Sequence, residues 1–244
     1  MKLSFERKNT VTTRNKAIAW GVHLFTTSGV LLAMAAVVSI YHHKPGHALL
    51  WLLLAQVVDG LDGPLARKYQ VQKYVPVVDG NILDLVIDYL TCVVVPMAFA
   101  ARFDIFPAQV ENWIIGAILY VSVIWFARKD IETKDMWFRG FPTAWNLVVT
   151  AFWMLGTSQS FNLMASSVLV VLTLTPKVKF FHALSSKQFR VVTIPLTTAA
   201  MLAMACMASF REHHNSFGRV VLVVWNIYVI LMTVWRSLQP DELE

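Results

Sequence analysis

The chain has 244 residues, 57% hydrophobic and 15% charged, with a mean hydropathy of +0.56. Soluble globular domains carry about a quarter charged residues, so this composition cannot supply a soluble protein's polar surface and points to a polytopic membrane protein. The net charge of +6 gives no nucleic-acid role, because the basic residues follow membrane topology, and no phosphate-binding glycine loop, nucleophilic Ser or Cys triad or soluble nucleotide fold is visible.

Residues 1–16 form a basic segment holding Lys2, Arg7, Lys8, Arg14 and Lys16. It feeds an apolar stretch too long for a signal-peptide core and lacking a small-residue cleavage site. The segment is therefore expected to stay in place, either as a solvated tail that sets orientation or as an amphipathic helix on anionic lipid. Apolar stretches near 17–41, 47–68, 76–101, 112–127, 141–157, 160–175, 191–210 and 218–235 predict about eight transmembrane helices. Those at 112–127 and 160–175 are short. An even number of spans places 17 of the 21 basic residues on the side of the termini and only Lys44, Arg102, Arg211 and Arg219 on the other. Positive charge accumulates on the cytoplasmic side, so both termini are expected there. The predicted fold is all-α: one polytopic membrane helix bundle over residues 1–244, with no second domain, internal repeat or flexible linker.

Cys92 and Cys206 lie in apolar runs and are expected to pack without a disulfide. The histidines form no metal motif. His42, His43 and His47 fall in a short loop on the non-cytoplasmic side, while His23 and His182 are isolated and expected to be structural.

The second and third apolar stretches carry five aspartates, Asp59, Asp62, Asp79, Asp84 and Asp88. An acid at membrane depth costs about 2.5–3.5 kcal/mol at a helix centre on insertion scales and marks function by default. Asp59 and Asp62 are three residues apart and Asp84 and Asp88 four apart, so each pair lies on one helix face. A short cytoplasmic loop around Tyr69–Tyr74 joins the two helices and brings both pairs to similar depth. Four facing carboxylates cannot all stay ionised without counter-charge, and Arg67 alone is insufficient. Hard oxygen ligands suit Mg²⁺ or Mn²⁺, and paired ions are the usual apparatus for displacement at phosphorus. Gly60, Gly63, Ala66 and Gly80 keep side chains away from the acids, either for close helix packing or to admit a bulky ligand. Pro64 removes a backbone hydrogen bond and marks a possible kink. Asp79 is expected to begin the third helix, where its charge suits the dipole, with an extra site contact as the competing role.

The pattern Asp59-x2-Asp62-Gly63-x2-Ala66-Arg67 … Gly80-x3-Asp84-x3-Asp88 resembles the signature of the CDP-alcohol phosphotransferases, membrane enzymes that displace CMP from a CDP-linked substrate with an alcohol. The spacer here, Lys68 to Asp79, is longer than the family usually carries. The stretches DGLDGPLAR, AIAWGVHLFTTSG, FPTAWN and TPKVKFFH further resemble the bacterial phosphatidylcholine synthase branch, from about Ala17 to Phe181. That resemblance implies transfer of the phosphatidyl group of CDP-diacylglycerol to choline in a bacterial inner membrane, with the active site facing the cytoplasm. It implies that Asp59, Asp62, Asp84 and Asp88 hold Mn²⁺ or Mg²⁺, two ions in all, and that Asp88 also acts as general base. Gly63, Ala66, Arg67 and Gly80 match positions that receive the nucleotide, although Arg67 could instead only neutralise the acids.

Lys177 and Lys179 are candidates for the lipid phosphate or for simple topological anchoring. Asn146 either lines the site or bonds between helices. Trp20, Tyr74, Tyr89, Trp145 and Trp153 are aromatic candidates for a quaternary ammonium, and none is singled out as the choline contact. A homodimer follows only by family analogy. Two other functions compete: the same chemistry on serine, inositol or glycerol phosphate, and a cation transporter. The transporter is disfavoured because all five acids fall in one hairpin, with no matched set in later spans.

Overall fold

The computed structural model describes residues 2–181, 189–210 and 216–239, with side chains from residue 13 onward except at 210. His182, Lys187 and Arg211 lie outside the described residues. All eight predicted apolar stretches are helical. Among the described residues, five helices are long and apolar enough to cross a membrane: Thr13–Tyr41, Pro45–Lys68, Gly80–Arg102, Arg190–Ser209 and Ser216–Ser237. Glu111–Phe126, Trp145–Leu155 and Gln159–Thr173 are shorter, whereas a perpendicular crossing needs about 20 residues. The helix expected over 141–157 starts at Trp145 because Pro142 lacks a donor and Thr143 takes a left-handed φ of 54°.

In chain order, α1 (Lys2–Tyr41) packs along α2 (Pro45–Lys68), which is followed by a single turn, α3 (Val71–Tyr74). Pro45 opens α2 at a position where its missing N–H is harmless. The helix continues through Pro64 and ends with Arg67 and Lys68, which complement its dipole. The third long helix has three parts: α4 (Gly80–Asp88), a π-helical segment (Tyr89–Val94) and α5 (Val95–Arg102). Pro96 has no N–H for the carbonyl one turn back, and its ring crowds that carbonyl. The wide π turn lies just before it and accommodates the defect. Then come α6 (Glu111–Phe126), α7 (Trp145–Leu155), α8 (Gln159–Thr173), α9 (Arg190–Phe210) and α10 (Ser216–Ser237).

The larger of two hydrophobic clusters runs through this bundle, with Leu49, Leu52, Phe99, Ile118, Trp145, Met154, Met204 and Leu222 fully enclosed. Outside it, Leu31, Met34, Val191, Leu202, Ile230 and Leu231 are exposed. That aliphatic exterior suits hydrocarbon rather than water. Where α1 crosses α4, a Cβ on Gly29 would stand 2.6 Å from Ile87 Cγ2, so the close approach needs glycine.

The all-α expectation omits a two-stranded antiparallel ribbon, β1 (Trp137–Arg139) with β2 (Lys179–Phe181). Arg139 pairs with Lys179 in its register. The ribbon is tied to α10: Lys179 N donates to Ser237 Oγ at 2.8 Å, and Arg236 donates to Asp135 at 2.9 and 3.2 Å.

The long spacer also has a defined structure. Val71 and Val75 are buried against Ala19 and Val22 of α1, with Leu65, Ala66, Tyr69, Tyr74 and Val78 around them. The spacer folds into a clasp between α1 and the end of the α2–α4 hairpin.

Candidate metal and nucleotide site

Asp59 and Asp62 lie near the C-terminal end of α2, and Asp84 and Asp88 lie on the facing side of α4. Asp79 is the N-cap that starts α4. Its carboxylate accepts from the backbone N–H of Asn81 at 3.0 Å and of Ile82 at 3.3 Å. The helix-start role expected for Asp79 is therefore the one it has, and it sets the register that points Asp84 and Asp88 inward.

Asp59, Asp84 and Asp88 are half-buried, and one oxygen from each falls within 4.8 Å of the others. Asp62 is not part of that trio. It is 6% exposed and sits on the neighbouring wall, beside Asp84, the Thr26 hydroxyl and the Gly63 backbone. Asp84 thus belongs to both groupings. Among the described residues none of the four acids is ion-paired with a lysine or arginine, including Arg67, so neutralisation by Arg67 does not explain the cluster. An all-carboxylate donor set with no cationic partner fits a hard divalent cation.

Beside the acids lies a cavity of about 440 Å³ whose walls include Asp62, Gly63, Ala66, Arg67, Gly80 and Asp84. All four residues matched to the nucleotide positions thus meet in one cavity that also touches the acids. The Arg67 guanidinium folds back over Gly63, with Nη1 3.4 Å from where a Cβ would stand. Lys73 and Asn81 also line it.

The third wall comes from α1 and was missed in the sequence. His23 and Thr26, one turn apart, face the cavity. His23 is 6% exposed, and its Nε2 is buried without a hydrogen-bond partner. A Cβ on Gly80 would lie 3.5 Å from His23 Cε1. His23, expected to be structural, stands in the wall of this cavity. Two polar residues at helical spacing inside the first apolar stretch were the available signal.

Gln56 is a second omission, one turn before Asp59. Its Nε2 donates to Asp59 Oδ2 at 2.7 Å, and its Oε1 accepts from Asn146 Nδ2 at 2.6 Å. Asn146 therefore bonds between helices, and it reaches the acid cluster through Gln56.

Other candidates sit elsewhere. Lys177 is exposed, Lys179 is 4% exposed within β2, and neither lines the cavity. Trp145 is fully enclosed, with Nε1 donating to Ser122 Oγ at 3.2 Å, so it is packing rather than a ligand surface. Trp153 lines a separate cavity of about 280 Å³ with His43, Lys44 and His47. Tyr89 follows Asp88, but its hydroxyl donates to Leu119 O and its ring packs on Phe126. Cys92 and Cys206 are free thiols.

This geometry agrees with comparisons to known proteins. The chain is 40% identical over 226 residues to a phosphatidylcholine synthase of Pseudomonas aeruginosa, covering 91% of this chain and 93% of that protein. It is 30% identical over 226 residues to a phosphatidylcholine synthase of Borreliella burgdorferi, covering 91% and 96%. To a phosphatidylcholine synthase of Rhizobium meliloti it is 36% identical over 193 residues, covering 79% and 78%. The family model described as CDP-alcohol phosphatidyltransferase matches residues 22–176, a span that takes in the α2–α4 hairpin, the α1 wall and Asn146. The chain belongs to the CDP-alcohol phosphatidyltransferase family.

Proposed function

We propose that this protein is a CDP-diacylglycerol–choline O-phosphatidyltransferase, a phosphatidylcholine synthase that releases CMP. One observation carries the reading: an unpaired carboxylate cluster shares a wall with a cavity lined by Gly63, Ala66, Arg67 and Gly80. Relatives similar over nearly the whole chain bear the name phosphatidylcholine synthase.

Asp59, Asp62, Asp84 and Asp88 would hold two ions, Mn²⁺ or Mg²⁺, which when bound supply charge neutralisation at the diphosphate. The nucleotide enters over Gly63, Ala66 and Gly80, where absent side chains leave room against backbone. Arg67 offers a planar charged fork to phosphate. Lys177 and Lys179 lie outside this cavity, so a role for them at the lipid phosphate has no geometric support. Asp88 takes the proton of the choline hydroxyl as its oxygen bonds to the phosphatidyl phosphorus. The bond from that phosphorus to the bridging oxygen breaks, and CMP leaves with the electron pair. The half-buried position of Asp88, followed by an apolar π turn, suits a base that must stay out of bulk water.

The same reading gives the chain eight crossings, three of them by short or tilted helices, as one domain in the bacterial inner membrane. Both termini and the site face the cytoplasm, in keeping with the distribution of basic residues. Homodimerisation follows the wider family.

The test is CMP release by purified protein with CDP-diacylglycerol and Mn²⁺, adding choline, serine, inositol or glycerol phosphate in turn, with Asp88→Asn in parallel. Release with choline alone, lost in the variant, is expected. Release with another alcohol keeps the mechanism and overturns the substrate. No release from folded protein with any of them returns the hairpin to an ion-transport role.

A further inference from the structure

We infer that Gln56 and Asn146 are positioning residues for Asp59, and that the direction of their hydrogen bonds determines how tightly the acid cluster holds a divalent cation. The inference rests on the metal-site reading above.

The two side chains form a directional chain from α7 through α2 to the cluster. Asn146 Nδ2 donates to Gln56 Oε1 across 90 positions of sequence, and Gln56 Nε2 donates to Asp59 Oδ2. Asn146 is 3% exposed, and its Oδ1 is buried with no partner. The polarity of this chain is dictated from the cluster end. An ionised carboxylate only accepts, so Gln56 must turn its NH₂ toward Asp59. Its carbonyl oxygen then needs a donor, which Asn146 supplies. The Asn146 oxygen is left over as the end of the chain. Turning either amide over would set two acceptors against each other.

Fixing one oxygen of Asp59 fixes the rotation of its carboxylate, and with it the oxygen presented to Asp84 and Asp88. Residues that orient a metal ligand in this way typically affect metal affinity by about 10–100-fold. A role limited to joining α2 to α7 would alter stability and leave cation affinity unchanged, which separates the two possibilities.

The experiment is Mn²⁺ titration followed by electron paramagnetic resonance on the detergent-purified full chain, without substrates. The variants are Gln56→Leu, Asn146→Asp and the double variant, with thermal unfolding measured on each. Asn146→Asp keeps the shape and replaces the donor with an acceptor. We expect each single variant to bind Mn²⁺ at least tenfold more weakly, by about the size typical of such orienting contacts. The double variant should be no weaker than Gln56→Leu, because Asn146 acts through Gln56. Should Asn146→Asp fail to fold, Gln56→Asn keeps the amide but shortens its reach and carries the same expectation. Wild-type Mn²⁺ binding with unchanged affinity in folded variants, or a change in thermal stability alone, overturns the inference and leaves the metal site standing. No Mn²⁺ binding by folded wild-type protein overturns the metal-site reading, and this inference with it.

Discussion

Asp88 and Gly63 separate the two halves of the proposed reaction. Asp88 is half-buried among carboxylates, and Asp88→Asn keeps its size while removing the proton acceptor. A general base contributes about 10²–10⁴ in rate. The turnover number should fall by at least that order, and Mn²⁺ binding should weaken with it, because Asp88 is also one of the proposed cation ligands. At Gly63 an added methyl meets Arg67 Nη1 at ordinary contact distance, so Gly63→Ala should fold normally. It narrows the cavity beside Arg67, and the KM for CDP-diacylglycerol should rise by roughly tenfold, about 1.4 kcal/mol of lost binding. His23 makes a sharper case. It lines the cavity and its buried Nε2 has no hydrogen-bond partner, so His23→Ala should raise the KM for CDP-diacylglycerol and leave that for choline unchanged. Equal effects on both substrates would make His23 a packing residue after all.

At the scale of elements, the α2–α3–α4 unit is what turns a sequence motif into a site. The spacer's Val71 and Val75 clasp α1, and Asp79 caps α4. Asp79→Ala should remove about 1 kcal/mol of capping stability and loosen the register of Asp84, seen as a lower unfolding temperature and weaker Mn²⁺ binding together. Val71→Asp would bury a charge between α3 and α1, with the clasp expected to open and CDP-diacylglycerol affinity to collapse. If Val71→Asp leaves that affinity intact, the clasp has no part in forming the cavity. The spacing of the four acids was readable because helical periodicity places i, i+3 and i+4 on one face. The α1 wall carried only a weak mark, His23 and Thr26 one turn apart in an apolar stretch, and spacing within α1 cannot say which other helix that face meets. His23 therefore read as a lone histidine, and Gln56 passed unnoticed beside Asp59.

At the scale of the whole molecule, composition established a membrane helix bundle, and the positions of all eight apolar stretches match helices. Periodicity could not supply the ribbon of β1 and β2, whose three-residue strands pair loops about 40 residues apart in sequence. Asp135 locks that ribbon to α10. Burial pushes its carboxyl upward, but hydrogen bonds from Arg236 and Thr133 outweigh this and hold it below the usual carboxylate value. A lowered folded-state pKa means the stabilisation is present above the unfolded value, about 4. It is lost as pH falls through the lowered value. Because the Asp135 side chain is 35% exposed, Asp135→Asn should cost about 1.5 kcal/mol, the low end for hydrogen bonds to charged groups. In detergent, thermal unfolding from pH 7 to pH 3 should show a difference between wild type and variant that shrinks with acid. A difference that is constant with pH would place the role of Asp135 in packing.

If the carboxylate hairpin uses divalent cations to exchange the CMP of CDP-diacylglycerol for choline, the exchange must stop without them. The most direct test supplies labelled choline and CDP-diacylglycerol to the purified full chain, and follows phosphatidylcholine and CMP together before and after chelation. Equal amounts of both products are expected, none after metal removal, with recovery on adding Mn²⁺. Undiminished product formation in metal-free protein would contradict a role for the cations.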